Sequence, residues 1–154
     1  MPPSYINVGA SVGSGSMVDS HVLVGSCARV GKGVHLSAGV QLGGVLEPAG
    51  ALPVVIEDGV FIGAQAAILE GIVVGMRAVI APGVIISAGL VVYDLVNACE
   101  YRGRVPPGAV VVSGSRPASG AYARERGLQL YTPCIVKYRD SGTDASLVLE
   151  EALR

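Results

Sequence analysis

At 154 residues with a net charge of −1, the chain is sized for one domain and lacks the charge excess that draws a protein to nucleic acid or to an anionic membrane. Hydrophobic residues make up 51%, yet Trp is absent and Phe occurs once while Gly reaches 22, so the core has to be built from Val, Ile, Leu and Ala in thin, repetitive layers. Pro82, Gly83, Ser87 and Gly89 interrupt the longest apolar candidate, 78–93, which excludes a membrane-spanning helix.

The first predicted elements are short strands spaced by six. Ile6, Val12, Val18, Val24, Val30, Leu36 and Leu42 keep that beat, and Ala10, Val22, Ala28, Val34 and Val40 follow four residues after members of the series. A period of six fits neither an amphipathic helix at 3.6 nor simple alternation at two. It fits an all-β solenoid in which each hexad supplies one strand and one turn. Three hexads then close a coil of about 18 residues, and coils stack at the parallel-strand spacing of about 4.8 Å. Val18 is expected to lie on Leu36, Ile62 on Ile80, and His35 over Met17. Crossover rules for parallel strands favour a right-handed path, and periodicity does not fix the hand.

Leu42 and Ile56 are fourteen apart where twelve would hold the register, which predicts a loop near 44–55 centred on Glu47 to Pro53. Ile56, Ile62, Ile68, Val74, Ile80, Ile86 and Val92 resume the series, a second excursion covers 94–104, and Val105 and Val111 carry a last coil. The repeat domain is therefore 1–115, about five coils, and 116–154 is an extension. In the extension, Tyr131 to Lys137 reads as a strand. A short helix from about Ala145 would place Ala145, Val148, Leu149, Ala152 and Leu153 on one face, with Thr143 or Asp144 as its cap.

Chemistry-bearing residues are few. Asp19 occupies the slot after the repeating aliphatic that Gly25 and Gly31 fill elsewhere, and it is either a solvated turn acid or a proton acceptor. His21 and His35 are candidates for a base, but two histidines do not make a three-histidine zinc site. Cys27, Cys99 and Cys134 are odd in number and far apart, which suggests reduced, small, buried side chains rather than disulfides. The N-terminal MPPSYINVG has no basic region or apolar stretch of a signal peptide, so a cytoplasmic location is expected. There is no phosphate loop and no dinucleotide fingerprint.

PPSYINVGA, MVDS, VGSCARVGKGVHLSAGV, GGVLEP, VVIEDGVFIGA, GRVPPGAVVVSG and the tail IVK resemble the catalytic domain of the tetrahydrodipicolinate N-succinyltransferases, within the hexapeptide-repeat acyltransferases. The resemblance implies a left-handed parallel β-helix with a C-terminal strand and short helix, a homotrimer, and active sites in grooves between neighbours. It implies acylation of an amino-dicarboxylate amine by succinyl-CoA, with no permanently bound cofactor. Asp19 matches the essential aspartate of MVDS, and Arg29 is a candidate carboxylate clamp. Gly63, Ala64 and Ala81 would meet the pantetheine arm, and Arg116, Arg124, Arg126 and Lys137 the CoA phosphates.

The chain also departs from the family. Ala67 stands where a second catalytic acid is expected and Gln65 where an arginine is expected; Glu70 is not a replacement, because the family carries that glutamate too. The stretch FIGAQAAILEG resembles instead the acetyl-transferring branch of the same pathway, and the family carries an additional helical N-terminal domain, whereas this sequence opens directly at the repeats. Acetyl transfer, or a weakly active or non-catalytic trimeric paralogue, are the alternatives.

Overall fold

The computed structural model describes residues 1–45, 51–69 and 71–144. Up to Ile86, two-residue strands alternate with turns and each pairs with the one three ahead of it in the chain. The path therefore visits three parallel sheets in rotation. The first face holds Tyr5–Ile6, Leu23–Val24, Gln41–Leu42, Ala67–Ile68 and Ile85–Ile86. The second holds Ser11–Val12, Arg29–Val30, Val55–Ile56, Val73–Val74 and Arg104–Val105. The third begins with Met17–Val18, His35–Leu36, Phe61–Ile62, Val79–Ile80 and Ala109–Pro117.

The expected registers hold: Val18 pairs with Leu36, Met17 with His35, and Ile62 with Ile80. Alternation sends the second residue of each strand inward and the first outward. Leu36, Leu42, Ile62, Ile68 and Ile80 are completely buried, and so are their companions four residues later, among them Val40, Ala66, Ile72 and Val84. Burying such a side chain contributes about 1.5–3 kcal/mol, so stacked aliphatics are the main source of cohesion.

Most turns between these short strands place one residue in left-handed backbone. His21 (φ 61°), Cys27 (φ 63°), Gln65 (φ 60°) and Arg77 (φ 57°) take it with side chains in place. The slot directly after the inward residue is constrained differently, by the coil above. A Cβ on Gly25 would come within 2.3 Å of Gly44 N and 2.5 Å of Leu42 O. Gly25→Ala is accordingly expected to cost about 1–3 kcal/mol, read from urea unfolding, because backbone has to shift to admit the methyl.

Three expectations about the excursions are corrected. Leu42 pairs with Ile68, a repeat of 26 residues against 18 from Val24 to Leu42, so the first loop inserts eight residues into a single six-step rather than two into a double one. Residues 46–50 of that loop lie outside the described residues. Val92 is not the next rung: Val105 pairs with Val74, and Val92 is buried instead in a strand Val92–Asp94. The 94–104 segment is an ordered antiparallel hairpin of Val92–Asp94 with Cys99–Tyr101, and Cys99 is exposed rather than buried.

The C-terminal strand runs Gln129–Tyr138, longer than the sequence suggests, and pairs antiparallel with Ala109–Pro117 and parallel with Val92–Asp94. The third sheet thus reaches eight strands. An unforeseen helix, Ala121–Arg126, caps this hairpin and ends on Gly127. The predicted late helix starts earlier, at 141, and is capped by neither Thr143 nor Asp144. Asp140 Oδ1 accepts from Thr143 N at 2.8 Å and from Thr143 Oγ1 at 2.9 Å. Its proposed apolar face, 145–153, lies outside the described residues. Among the described residues no helix is long and apolar enough to cross a membrane.

Candidate active site

The turn between the third and first faces brings several sequence candidates into one column. Asp19 N–H donates to Leu36 O at 3.0 Å, Ser37 N–H to Ile62 O at 3.0 Å, Gly63 N–H to Ile80 O at 2.8 Å and Ala81 N–H to Val111 O at 2.9 Å. Asp19, Ser37, Gly63 and Ala81 are therefore successive rungs of a single edge. The half-buried Asp19 opens it, its Oδ1 accepting from Ser20 N at 2.7 Å. Gly63 has no room for a side chain, because a Cβ would lie 2.5 Å from Pro82 N.

The backbone of this edge is largely committed within the chain. Gly63 O accepts from Ala66 N at 3.3 Å, Ala64 O from Gly83 N at 2.9 Å and Ala81 O from Val84 N at 3.4 Å. Each carbonyl retains a second lone pair for a ligand amide, whereas the Gly63 and Ala81 N–H groups are already engaged. The side chain of Gln65 lies over Gly39, where its Nε2 occupies the space a Cβ would need. Ala67 sits outward on the first face, half-buried between its register partners Gln41 and Ile85. Glu70 lies outside the described residues.

Ser37 was not singled out from sequence. It is fully buried, and its Oγ finds no hydrogen-bond partner among the described residues. Its place one rung from Asp19 was the available signal, since it bears a hydroxyl in a slot where four residues of the first half are glycine (Gly13, Gly25, Gly31 and Gly43).

Other candidates fall elsewhere. Arg29 is exposed in a strand of the second face, with Nη1 3.4 Å from Ser11 Oγ, away from the edge that carries Asp19. His35 is buried and packs on Phe61 with ring centroids 4.7 Å apart, beside the outward apolar cluster of Phe61, Val79 and Val110. His21 is exposed. Arg116 pairs in register with Leu130 and Lys137 with Val110, so the two lie about 20 Å apart along one hairpin. Lys137 Nζ is 3.8 Å from Asp140, and Arg126 lies over the Tyr122 ring. These cations do not form one phosphate clamp within a single chain. Arg124 is in the last turn of the same short helix.

Residues 53–88 match the bacterial transferase hexapeptide family (six repeats). The 2,3,4,5-tetrahydropyridine-2,6-dicarboxylate N-succinyltransferase of Methylobacterium sp. (strain 4-46) is 47% identical over 152 residues, 99% of this chain and 54% of that protein. The enzyme of the same name from Polynucleobacter asymbioticus is 50% identical over 153 residues, with the same coverage. The chain thus spans about half the length of the curated relatives it matches. Among solved structures, Neisseria gonorrhoeae serine acetyltransferase in complex with serine superposes with a TM-score of 0.54 at 33% identity, covering 70% of this chain and 38% of that one. A hexapeptide-repeat acetyltransferase from Vibrio cholerae gives 0.56 at 21% identity, covering 72% and 62%, a likeness of fold alone. Over 99% of its length, then, this chain is a sequence relative of the tetrahydropyridine-dicarboxylate N-succinyltransferases, and it carries the bacterial transferase hexapeptide repeat.

Proposed function

We propose that this chain is the acyl-transferring part of a cytoplasmic CoA-dependent N-succinyltransferase, acting on tetrahydrodipicolinate in lysine and diaminopimelate biosynthesis as a homotrimer of left-handed β-helices. The observation that carries this reading is the edge on which Asp19 and the Gly63–Ala81 backbone share one column, in a chain about half identical to enzymes of that name.

In this reading the substrate amine attacks the thioester carbonyl, forming the C–N bond, and the C–S bond then breaks. Asp19 takes the proton that the attacking nitrogen sheds, and that proton leaves with the CoA sulfur. The carbonyls of Gly63, Ala64 and Ala81 accept from the amides of the pantetheine arm. Arg29 serves as carboxylate clamp by being presented from the second face of a neighbouring subunit, and Arg116 and Lys137 meet different phosphates because of their separation.

Ala67 favours a second reading, acetyl transfer, since no carboxylate is present where the family acid is expected. Thiol release with succinyl-CoA and with acetyl-CoA separates the two: the leading reading expects the higher kcat/KM for succinyl-CoA, and the opposite order overturns it. Under the leading reading Ala67→Glu is expected to raise succinyl transfer by about tenfold or more, as restoring a general acid–base group does. Absence of thiol release with both donors, from protein whose solution mass is that of a trimer, would favour a non-catalytic role.

A further inference from the structure

At the opposite end of the first face from Asp19, a cleft of about 980 Å³ opens between the turns at Gly43, Gly44 and Leu69, the loop residue Leu52, and the arm that carries Arg102 and Arg104. That volume is of the size that takes small molecules. The walls are glycine and aliphatic, and among the described lining residues the only charges are the two guanidiniums. Both arginines are exposed, and neither has an ion-pair partner among the described residues. Arg104 is held in place twice, by the strand pairing of Arg104–Val105 with Val73–Val74 and by the Tyr101 ring, whose centroid is 5.3 Å from its guanidinium carbon. Its planar donors are thereby fixed at the rim rather than left free in solvent. A held guanidinium and a second one lining the same cleft, with no acid among the described lining residues and with apolar walls below, match a ligand with an oxyanion at one end and an apolar body at the other.

We propose that this cleft binds a small molecule bearing a phosphate or carboxylate group through Arg102 and Arg104, with its apolar part against Leu52 and Leu69. The site does not depend on the acyl-transfer reading: it lies on a different edge of the prism and uses none of the residues placed there.

Calorimetric titration of the whole chain with inorganic pyrophosphate and, separately, with glutarate tests it. At least one probe is expected to saturate at one per chain. Saturation by pyrophosphate alone identifies phosphate as the recognised group, and saturation by glutarate alone identifies carboxylate. The Arg102→Gln/Arg104→Gln double variant is expected to weaken that binding by about tenfold or more. The Arg102→Lys/Arg104→Lys pair, which keeps charge but not the planar fork, is expected to recover only part of it. Lys32→Gln, a cation on another edge, is expected to leave it unchanged. The thermal midpoint of each variant shows that it is folded. Failure of both probes to saturate, binding that survives the glutamine pair, or an equal loss with Lys32→Gln would overturn the proposal.

Discussion

Asp19→Asn is expected to lower kcat for acyl transfer by about 10²- to 10⁴-fold, the range associated with removal of a general base, while leaving the thermal midpoint nearly unchanged. Folding should survive because the bond that Asp19 Oδ1 accepts from Ser20 N at 2.7 Å in the turn is one that an asparagine Oδ1 accepts equally well. What asparagine cannot do is take a proton from an ammonium or amine nitrogen. The loss should therefore appear in kcat and in kcat/KM together, with KM for the acyl donor little altered, since in the proposed reading the donor is held by the backbone of Gly63, Ala64 and Ala81, which the substitution does not touch. Asp19→Glu separates chemistry from position: one more methylene keeps the acid and moves it by about 1 Å, and partial recovery is expected. Unchanged turnover in Asp19→Asn, measured by thiol release on folded protein, would remove Asp19 from the chemistry and leave it as a turn acid.

Much of the scaffold was legible because the inward residues obey a strict arithmetic. Once Val18 is assigned to stack on Leu36, the partners of Met17 and Ile62 follow, and the structure has them where the period puts them. The arithmetic failed where an aliphatic satisfied the period by coincidence. Val92 falls six after Ile86, yet the burial it needs comes from the outward extension of the third sheet, and the coil position goes to Val105, thirteen residues later. The first loop was mis-sized for a related reason: counting in hexads treats fourteen as nearly twelve, whereas the Leu42–Ile68 pairing makes it one step of six with eight residues added. The helix Ala121–Arg126 left no signal because six residues are too few for a periodic face to show.

For the site, the shared edge of Gly63 and Ala81 was readable, since they are one coil of 18 apart; that Asp19 opens the same edge was not, because counting the first loop as a double step puts Ile56 rather than Ile62 on the face of Val18 and Leu36. The placement of Arg29 was not: residue 29 begins a strand whose outward face is the second sheet, and neither its type nor its distance in sequence from Asp19 reveals that. The tail cations were equally opaque, because their separation depends on how Ala109–Pro117 and Gln129–Tyr138 align. His35 illustrates a converse error. Its stacking position was predicted correctly, but its ring packs against Phe61, whose outward burial a solenoid of solvent-facing sheets does not suggest.

Asp94→Ala is expected to cost about 2–4 kcal/mol, and to open the C-terminal part of the protein before the coils. Asp94 is 2% exposed and its carboxylate accepts from five donors: Tyr138 Oη at 2.6 Å, Asn97 Nδ2 at 2.9 Å and Cys99 Sγ at 3.9 Å on Oδ2, and the backbone N–H groups of Val96 at 2.9 Å and Asn97 at 3.0 Å on Oδ1. It therefore shapes the 94–99 turn and ties that hairpin to the end of the last strand. Burial pushes its pKa up, but the bonds from Tyr138, from the Asn97 side chain and from the two backbone N–H groups outweigh burial and bring it down to about 2 from 3.8. On the other side of the bond, burial first and the Asp94 carboxylate second push the Tyr138 phenol up. Because the folded-state pKa of Asp94 is depressed, its contribution to stability is fully present above about pH 3.8 and is lost as pH falls toward about 2. Asp94→Asn should flatten the stability profile in that window, and Tyr138→Phe, by removing one donor, should move the acid loss to higher pH. In a stack whose units touch only their neighbours, damage at one end need not spread. Amide exchange in Asp94→Ala should accordingly accelerate across 92–101 and 129–138 while 35–86 retains its protection. Uniform acceleration over all coils would show instead that the hairpin, the tail and the prism unfold as one unit.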